Sequence, residues 1–234
     1  MTDPINQPIG DPVPGWTGAT VPARAVVQGR YCQLQPLGPQ HAAALWSAIE
    51  GHADLWTYLP DGPFADGGGF ARWIGEKAAD PDSQFSAICD PEGVALGVAS
   101  YLRIDPAHGS IEIGNLLFSP RLRRTRAATE AMALAMGVAF AHGFRRYEWK
   151  CHALNHPSRS AALRLGFTYE GTFRNACVVK GRNRDTAWFS VTAAEWPALR
   201  TAFGQWLEPA NFDAEGHQIA RLGSFRASCR DGRR

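Results

Sequence analysis

The sequence predicts a mixed α/β fold of the α+β kind, in which a mostly antiparallel sheet is flanked by helices. Strand-like segments follow one another in groups and are joined by turns rich in Asp, Pro and Gly, which favours antiparallel pairing. Segments with helical apolar spacing lie before, between and after these groups. This distribution is typical of one sheet whose faces are covered by helices.

The first half of the chain is predicted to begin with a strand at residues 31–37 and a helix that starts after Pro39. An aromatic loop broken by Pro and Gly covers residues 55–64, and the apolar spacing over residues 70–77 indicates a second, short helix. Three strands then form a meander, at residues 84–89, 94–104 and 110–119.

The second half begins with a helix over Thr125–His142, which is rich in Ala, Leu and Met and ends at Gly143. A strand, a helix, a two-stranded hairpin and a terminal helix are predicted to follow. They cover, in that order, residues 145–153, 158–165, 167–179 with 184–192, and 195–207.

A chain of 234 residues with 45% hydrophobic content is sufficient for one domain. Residues 1–29 carry repeated Pro and Gly and few large apolar side chains, which predicts an extended N-terminal arm. Residues 30–208 form the predicted domain, and residues 209–234 are predicted to be a polar C-terminal tail.

Charge and cysteine usage narrow the classes of partner. With a formal net charge of only +2, neither a nucleic acid nor a membrane is an expected partner. The five dispersed cysteines form no CxxC pair and no zinc-type spacing, so we expect reduced thiols, no metal and a cytoplasmic location. A monomer and a homodimer both stay open.

A basic turn joins the strand at 110–119 to the long helix, and it contains Arg121, Arg123, Arg124 and Arg126. A helix N-terminus presents unpaired N–H groups and the positive end of the helix dipole, so it favours anions. Clustered arginines strengthen that preference, because an anion such as a pyrophosphate would neutralise them. A solvated basic loop is the alternative.

Residues 155–167 read NHPSRSAALRLGF, and this segment resembles the second conserved motif of the GNAT superfamily of N-acetyltransferases. The resemblance implies that Asn155 hydrogen-bonds the pantetheine arm of acetyl-CoA and that Ser158 lies near the thioester sulfur. An ordinary helix cap explains the same two residues equally well.

By the same resemblance, residues 123–128 (RRTRAA) are the pyrophosphate loop of the family. They match the family pattern at Arg123 and Ala128 and depart from it at Arg126, where glycine is usual. The departure suggests that Arg126 swings outward or joins the phosphate cluster. The residues implied to bind the cofactor here are Arg123, Arg124, Thr125, Arg126, Ala127 and Ala128.

The resemblance also implies a six- to seven-stranded sheet whose fourth and fifth strands splay apart. Free backbone N–H groups near the splay, at Leu116, Leu117 and Phe118, would bind the thioester carbonyl and the pantetheine amides. Glu112, on the same strand, resembles the glutamate proposed as base in RimJ/RimL-like enzymes, which acetylate ribosomal-protein N-termini. A strand glutamate paired with an arginine is the alternative.

Two further roles are implied by the chemistry of acetyl transfer. Many GNAT enzymes carry a tyrosine in the second-motif helix as general acid, but Ala162 takes that position here, so Ser158 is the candidate that protonates the thiolate. Aromatic and polar side chains would line the acceptor pocket, although burial in the core is an alternative for them. These pocket candidates are Trp56, Tyr58, Tyr101, Asn115 and Trp149.

The resulting functional hypothesis is acetyl-CoA-dependent transfer to a primary amine by direct attack in a ternary complex, with a protein or peptide N-terminus as the preferred acceptor. A small amine, such as a polyamine or an aminoglycoside, is the second possibility. Transfer of a succinyl group stays open because Arg126 could engage a carboxylate. A non-catalytic acyl-CoA-binding module is the alternative from a different class.

Overall fold

A computed structural model of the chain describes residues 7–231, which form one open, eight-stranded sheet with helices packed against both faces. The strands are β1 (Val27–Gln28), β2 (Gln33–Pro36), β3 (Gln84–Cys89), β4 (Ala95–Asp105), β5 (Ser110–Phe118), β6 (Arg146–His152), β7 (Thr168–Val179) and β8 (Arg182–Thr192). The α-helices are α1 (Ala42–Ile49), α2 (Gly67–Ala78), α3 (Arg126–Ala141), α4 (His156–Leu165), α5 (Trp196–Trp206) and α6 (Leu222–Asp231).

The strand order is β1-β2-β3-β4-β5-β6-β8-β7. Only β5 and β6 pair in parallel, because α3 carries the chain back across the sheet between them. The predicted mixed, mostly antiparallel sheet flanked by helices is therefore confirmed. No helix among the described residues is both long enough and apolar enough to cross a lipid bilayer.

The predicted number of strands needs one correction, from at most seven to eight. The additional strand is the two-residue β1, which pairs with β2 through Val27–Leu34 and Gln28–Gln33. Because it lies inside the Pro- and Gly-rich arm and is so short, it leaves no alternating pattern of its own.

The N-terminal arm lies along the domain surface from residue 7 onward. Its backbone bonds to loop carbonyls of the domain: Ala19 N donates to Pro106 O, and Thr20 N donates to His142 O. The Trp16 indole donates to the carbonyl of Ala107 at 2.8 Å. These hydrogen bonds attach the arm to the turn after β4 and to the end of α3.

The segment predicted as a C-terminal tail folds back on α5. A short 3-10 helix at Pro209–Asn211 is followed by α6, whose first residue, Leu222, is buried. The Asn211 side chain fixes this turn, since it donates to Trp206 O and Ala220 O and accepts from Ala220 N. The final arginines, Arg233 and Arg234, lie outside the described residues.

Each face of the sheet carries its own apolar cluster, as the alternation of side chains along a strand requires. Phe85 and Val98 pack with α1 and α2 on one side, here named the α1–α2 face. Ile113 and Trp149 pack with α3 on the other side, here named the α3 face. Glu112 precedes Ile113 on β5 and therefore lies on the α1–α2 face.

A buried carboxylate ties the start of the domain to α3. Glu130, in the second turn of the helix, accepts hydrogen bonds from three consecutive backbone N–H groups, those of Arg30, Tyr31 and Cys32, at 2.9, 2.6 and 2.9 Å. These donors precede β2 and have no other acceptor among the described residues. Glu130 therefore holds both the approach to the sheet and the first turns of α3.

Candidate active site

The parallel pairing of β5 and β6 ends halfway along both strands. The last paired residues are Ile113 and Trp149, whereas β5 continues to Phe118 and β6 to His152. One edge of β5 from Gly114 onward is therefore without a strand partner, and its backbone groups face the gap. The fourth and fifth strands predicted from the sequence, at residues 110–119 and 145–153, correspond to β5 and β6. The gap therefore agrees with the splay that the resemblance implies between those two strands.

A β-bulge lies at the beginning of this gap. Val98 pairs with Leu117 and Ser100 with Gly114, so β5 has one residue more than β4 in this interval. Asn115 takes up the extra length with a positive φ of 51°, and its amide donates to Ser100 Oγ at 2.9 Å. Beyond the bulge, β5 continues through Leu116, Leu117 and Phe118 with only β4 as a neighbour.

The N-terminus of α3 lies immediately after this strand. Thr125 is the N-cap, and its Oγ1 accepts from Ala128 N at 3.1 Å. Among the described residues, the backbone N–H groups of Arg126 and Ala127 have no acceptor, as expected for a first helical turn. The predicted phosphate loop therefore offers two free N–H groups, while that of Ala128 is used by the cap.

The arginines of this turn do not all behave alike. Arg121, Arg123 and Arg124 are exposed, and Arg123 lies 3.7 Å from Asp54 of the neighbouring loop. Arg126 is exposed as well, but its guanidinium packs on aromatic rings, 4.4 Å from the Tyr31 ring centroid and 5.4 Å from that of Phe212. This packing favours the outward orientation of the two possibilities considered for Arg126.

Arg126→Ala is expected to leave the Kd for acetyl-CoA within about twofold and to lower the free energy of unfolding by about 0.5–1 kcal/mol, the value of a cation–π contact. Arg123→Ala is the matched variant and should raise that Kd about tenfold, because it removes a charge-assisted contact. Calorimetric titration and urea denaturation measure both quantities. Equal losses of affinity in the two variants would mean that Arg126 also reaches the phosphates.

The second motif forms the entrance to α4. Asn155 is the N-cap, and its Oδ1 accepts from Ser158 N at 3.1 Å. The Ser158 hydroxyl accepts from the Trp149 indole of β6 at 3.0 Å. The helix-cap interpretation is therefore realised for Asn155. The cap leaves its Nδ2 without a partner among the described residues, so that a contact with the pantetheine arm stays a prediction.

Asn155→Ala and Asn155→Asp separate these two roles. Aspartate caps a helix as well as asparagine does but cannot donate a hydrogen bond from its side chain when ionised. If the amide contacts acetyl-CoA, both variants should raise the Kd by about three- to tenfold. Only the alanine variant should destabilise the fold, by about 1 kcal/mol. Wild-type affinity in Asn155→Asp would assign a purely structural role to Asn155.

Glu112 is buried on β5, with 4% of its side chain exposed. Its Oε2 atom lies 2.6 Å from Arg103 Nη1 and 2.9 Å from Lys150 Nζ. Glu112 is therefore paired with an arginine, as the alternative interpretation of this residue expected. Its Oε1 atom has no hydrogen-bond partner among the described residues and remains available to a water or an amine. Its role as base stays a prediction.

Two of the predicted pocket residues lie on the wrong face to meet Glu112. Tyr101 pairs with Ile113, and Ile113 with Trp149, so all three side chains belong to the α3 face. The Tyr101 hydroxyl donates to Ala135 O of α3, and burial raises its pKa well above the ordinary value. Tyr101 and Trp149 are core residues, because strand alternation directs them away from Glu112.

The other three pocket candidates differ in exposure. Trp56 is 3% exposed and packs against Phe64 and other rings, so it belongs to the core of the α1–α2 face. Its carbonyl accepts from Lys180 at the tip of the β7–β8 hairpin, at 2.8 Å. Tyr58 is exposed, with its ring against His152. Tyr58 and Asn115, at the bulge, remain candidates for the pocket lining.

Some residues around Glu112 were missed from the sequence. Lys150 and Trp188 are paired on β6 and β8, and Lys150 Nζ lies 3.7 Å from the Trp188 ring centroid. Phe173 of β7, 58% exposed, stacks on Trp188 with ring centroids 4.7 Å apart. The alternation in residues 147–152 (YEWKCH) indicates that Glu148 and Lys150 share a face, but the register that brings them to Glu112 depends on the fold.

The arrangement fits acetyl-CoA. A pyrophosphate needs N–H donors and positive charge, which the free amides of Arg126 and Ala127 and the three exposed arginines supply. A pantetheine arm is an extended chain with amide groups, and the unpaired edge of β5 offers matching backbone groups. No cluster of three or more metal-ligating side chains occurs within residues 7–231.

Comparison with known proteins agrees with this geometry. The family model described as acetyltransferase (GNAT) domain matches residues 32–168. A GCN5-related N-acetyltransferase from Brucella melitensis is 44% identical, with a TM-score of 0.89 over 92% of this chain and 100% of its own. A structure from Chromobacterium violaceum, assigned to the GNAT acetyltransferases, is also 44% identical, with a TM-score of 0.77 over 82% and 98%.

A more distant structure has a ligand bound. The microcin C7 self-immunity acetyltransferase MccE, in complex with acetyl-CoA and AMP, is 21% identical, with a TM-score of 0.63 over 70% of this chain and 93% of its own, a likeness of fold. No functionally curated sequence matches the chain at a significant level. The chain therefore belongs to the GNAT family of N-acetyltransferases and uses acetyl-CoA, as shown by the matched domain and the two relatives at 44% identity, in agreement with the site geometry.

Proposed function

We propose that this enzyme acetylates the N-terminal amine of a protein or peptide in the manner of the RimJ/RimL-like enzymes. The observation that carries the proposal is the state of Glu112. This buried carboxylate has one oxygen held by two cations, and its other oxygen has no hydrogen-bond partner among the described residues. An oxygen of this kind accepts a proton from one incoming ammonium group or from a water beside it.

Acetyl-CoA, when bound, supplies an activated acyl group and a thiolate leaving group. The chain's own residues would then hold the acceptor and move protons. Glu112 Oε1 accepts a proton from the amine, directly or through a water, so that the nitrogen lone pair is free to attack. A C–N bond forms as the C–S bond breaks, in a single ternary complex.

Ser158 is proposed to return a proton to the thiolate. Its Oγ accepts from the Trp149 indole, so the hydroxyl keeps its own hydrogen as the proton that it would donate. The backbone N–H groups of Leu116, Leu117 and Phe118, on the part of β5 without a β6 neighbour, are proposed to bind the thioester carbonyl and the pantetheine amides.

A polycationic acceptor is less favoured by the charges near Glu112. A polyamine or aminoglycoside needs several uncompensated acids, whereas the carboxylates of this face are already paired. Glu148 contacts Lys150 at 2.7 Å and Arg146 at 2.6 Å, and Arg146 also forms an ion pair with Glu170. A succinyl donor loses its suggested partner, because Arg126 is turned onto Tyr31. A cytoplasmic location of the enzyme is part of the proposed function.

An acceptor screen tests the proposal. Release of the CoA thiol is measured with N-terminal peptides, spermidine and an aminoglycoside as acceptors, each with acetyl-CoA and with succinyl-CoA. The expected result is turnover with peptides and acetyl-CoA, at least about tenfold above the other combinations in kcat/KM. Turnover with spermidine or the aminoglycoside alone would assign a small-amine acceptor. Binding of acetyl-CoA without thiol release from any combination would indicate a non-catalytic binding module.

A further inference from the structure

We infer that Lys150 is a positioning residue for acetyl transfer, which holds the Glu112 carboxylate with Oε2 engaged and Oε1 directed to the acceptor. The inference rests on the proposed role of Glu112 as base. It adds a residue that neither the family motifs nor the acetyl-CoA site contains. Lys150 lies on β6, on the opposite side of the gap from the β5 segment that is proposed to bind the acyl donor.

Lys150 is an unusual lysine because its side chain is only 6% exposed. Its ammonium lies 2.9 Å from Glu112 Oε2 and 2.7 Å from Glu148 Oε2, and the face of the Trp188 ring lies 3.7 Å away. Lysines are almost never buried unless they are paired. Two carboxylates and an aromatic face account for the burial, and they hold the ammonium in one place.

The two carboxylates are direct neighbours in the sheet. Glu112 and Glu148 are register partners of the parallel β5–β6 pair, so their side chains emerge side by side on the α1–α2 face. Two like charges so close destabilise each other unless a cation lies between them. Lys150 is that cation. Burial alone would raise the pKa of Glu148, but hydrogen bonds from Arg146 and Lys150 bring it below the ordinary value.

The remaining charges around Glu112 are less constrained. From β4, Arg103 reaches the same Oε2 atom at 2.6 Å, but 62% of its side chain is exposed and solvent screens it. From β6, His152 lies on the same face as Lys150, one pair further along. From β8, the paired residues are Trp188 and Ser190, which are neutral. Lys150 is therefore the buried cation in contact with Glu112, whereas Arg146, on the same face of β6, contacts Glu148 and Glu170.

Opposite shifts of the pH profile test this inference. Lys150→Met leaves the Glu112 and Glu148 carboxylates side by side without the bridging charge, so the acid limb of kcat moves to higher pH. Glu148→Gln removes the competing carboxylate, so the acid limb moves to lower pH. We expect shifts of about one pH unit, which is a tenfold change in kcat on the acid limb. Loss of packing alone would not produce shifts of opposite sign.

Matched variants complete the experiment, which uses the full chain, acetyl-CoA and an accepted peptide. Arg103→Met, at the exposed partner of the same oxygen, should shift the acid limb by less than half as much, and Lys150→Arg should restore most of the wild-type profile. Urea denaturation of every variant identifies any that fail to fold. If Lys150→Met is unfolded, Lys150→Gln takes its place, and an unchanged acid limb in that variant would contradict the inference.

Two outcomes would overturn different claims. If Glu112→Gln lowers activity while Lys150→Met and Glu148→Gln shift the acid limb in the same direction or not at all, Lys150 has no positioning role and the proposed base is unaffected. If Glu112→Gln retains wild-type activity, the proposed base is wrong and the inference fails with it. Opposite shifts together with an inactive Glu112→Gln support both.

Discussion

Glu112→Gln is expected to lower kcat by about 100-fold or more near pH 6, the usual range for the loss of a general base. The substitution keeps the size of the side chain and an oxygen for Arg103 and Lys150 but removes the group that accepts the proton. The effect should shrink as the pH rises, because the acceptor amine then loses its proton to solvent. Steady-state kinetics with a peptide acceptor from pH 5.5 to 9.5 measure this dependence.

The affinity for acetyl-CoA provides the control. Since Glu112 lies on the α1–α2 face and the turn proposed to bind the phosphates lies at the start of α3, the Kd should stay within about threefold of wild type. Glu76→Gln, at an exposed position of α2, should leave both kcat and Kd unchanged. A uniform loss of kcat at every pH would contradict a base and would favour a structural role for the ion pair.

Glu130→Ala should lower the free energy of unfolding by about 3 kcal/mol, because a buried N–H donor left without a partner costs about 1–3 kcal/mol, and the donor of Cys32 is buried while those of Arg30 and Tyr31 are partly buried. Three consecutive donors lose their acceptor in this variant, and alanine leaves space that the chain cannot fill without moving the loop before β2. Urea denaturation gives the free energy of unfolding. Since Glu130 lies one turn after Arg126, the stabilisation by acetyl-CoA should fall as well.

Glu130→Gln is the informative partner variant. Its amide retains one acceptor oxygen, which can accept from only some of the three N–H groups. Its free energy of unfolding should therefore lie between those of the wild type and Glu130→Ala. Glu92→Ala, in the exposed turn between β3 and β4, should stay within about 0.5 kcal/mol of wild type. A loss below about 1 kcal/mol in Glu130→Ala would mean that water replaces the carboxylate and that the loop is not held by it.

The elements with strong local signals were predicted closely. The strand predicted at 84–89 is β3 over the same residues, and the helix predicted at Thr125–His142 is α3, which begins after its Thr125 cap and ends at Ala141. The helix expected over residues 70–77 begins earlier, at Gly67, because Asp66 caps it and outweighs the low helix propensity of three glycines. Local hydrogen bonds from the N-cap side chains explain where both helices begin.

The candidate site was predictable where a motif is contiguous in sequence. The turn at 123–128 and the segment at 155–167 lie at the entrances of α3 and α4, because a cap residue and a helix start are local features. The acceptor pocket was less predictable. Tyr101 and Trp149 were expected beside Glu112, but whether a residue lies on one face or the other depends on parity within its strand and on the register of its neighbours.

Apart from β1 and α6, the sequence by itself determined the order of strands and helices, the basic turn before α3 and the Asn-capped helix that follows β6, since each depends on residues a few positions apart. Only the tertiary structure decided that Arg126 turns away onto Tyr31 and Phe212, and that Lys150 lies between two carboxylates. These contacts join residues tens of positions apart. They form because strand pairing and helix packing fix which side chains become neighbours, and that choice is made by the burial of the whole chain.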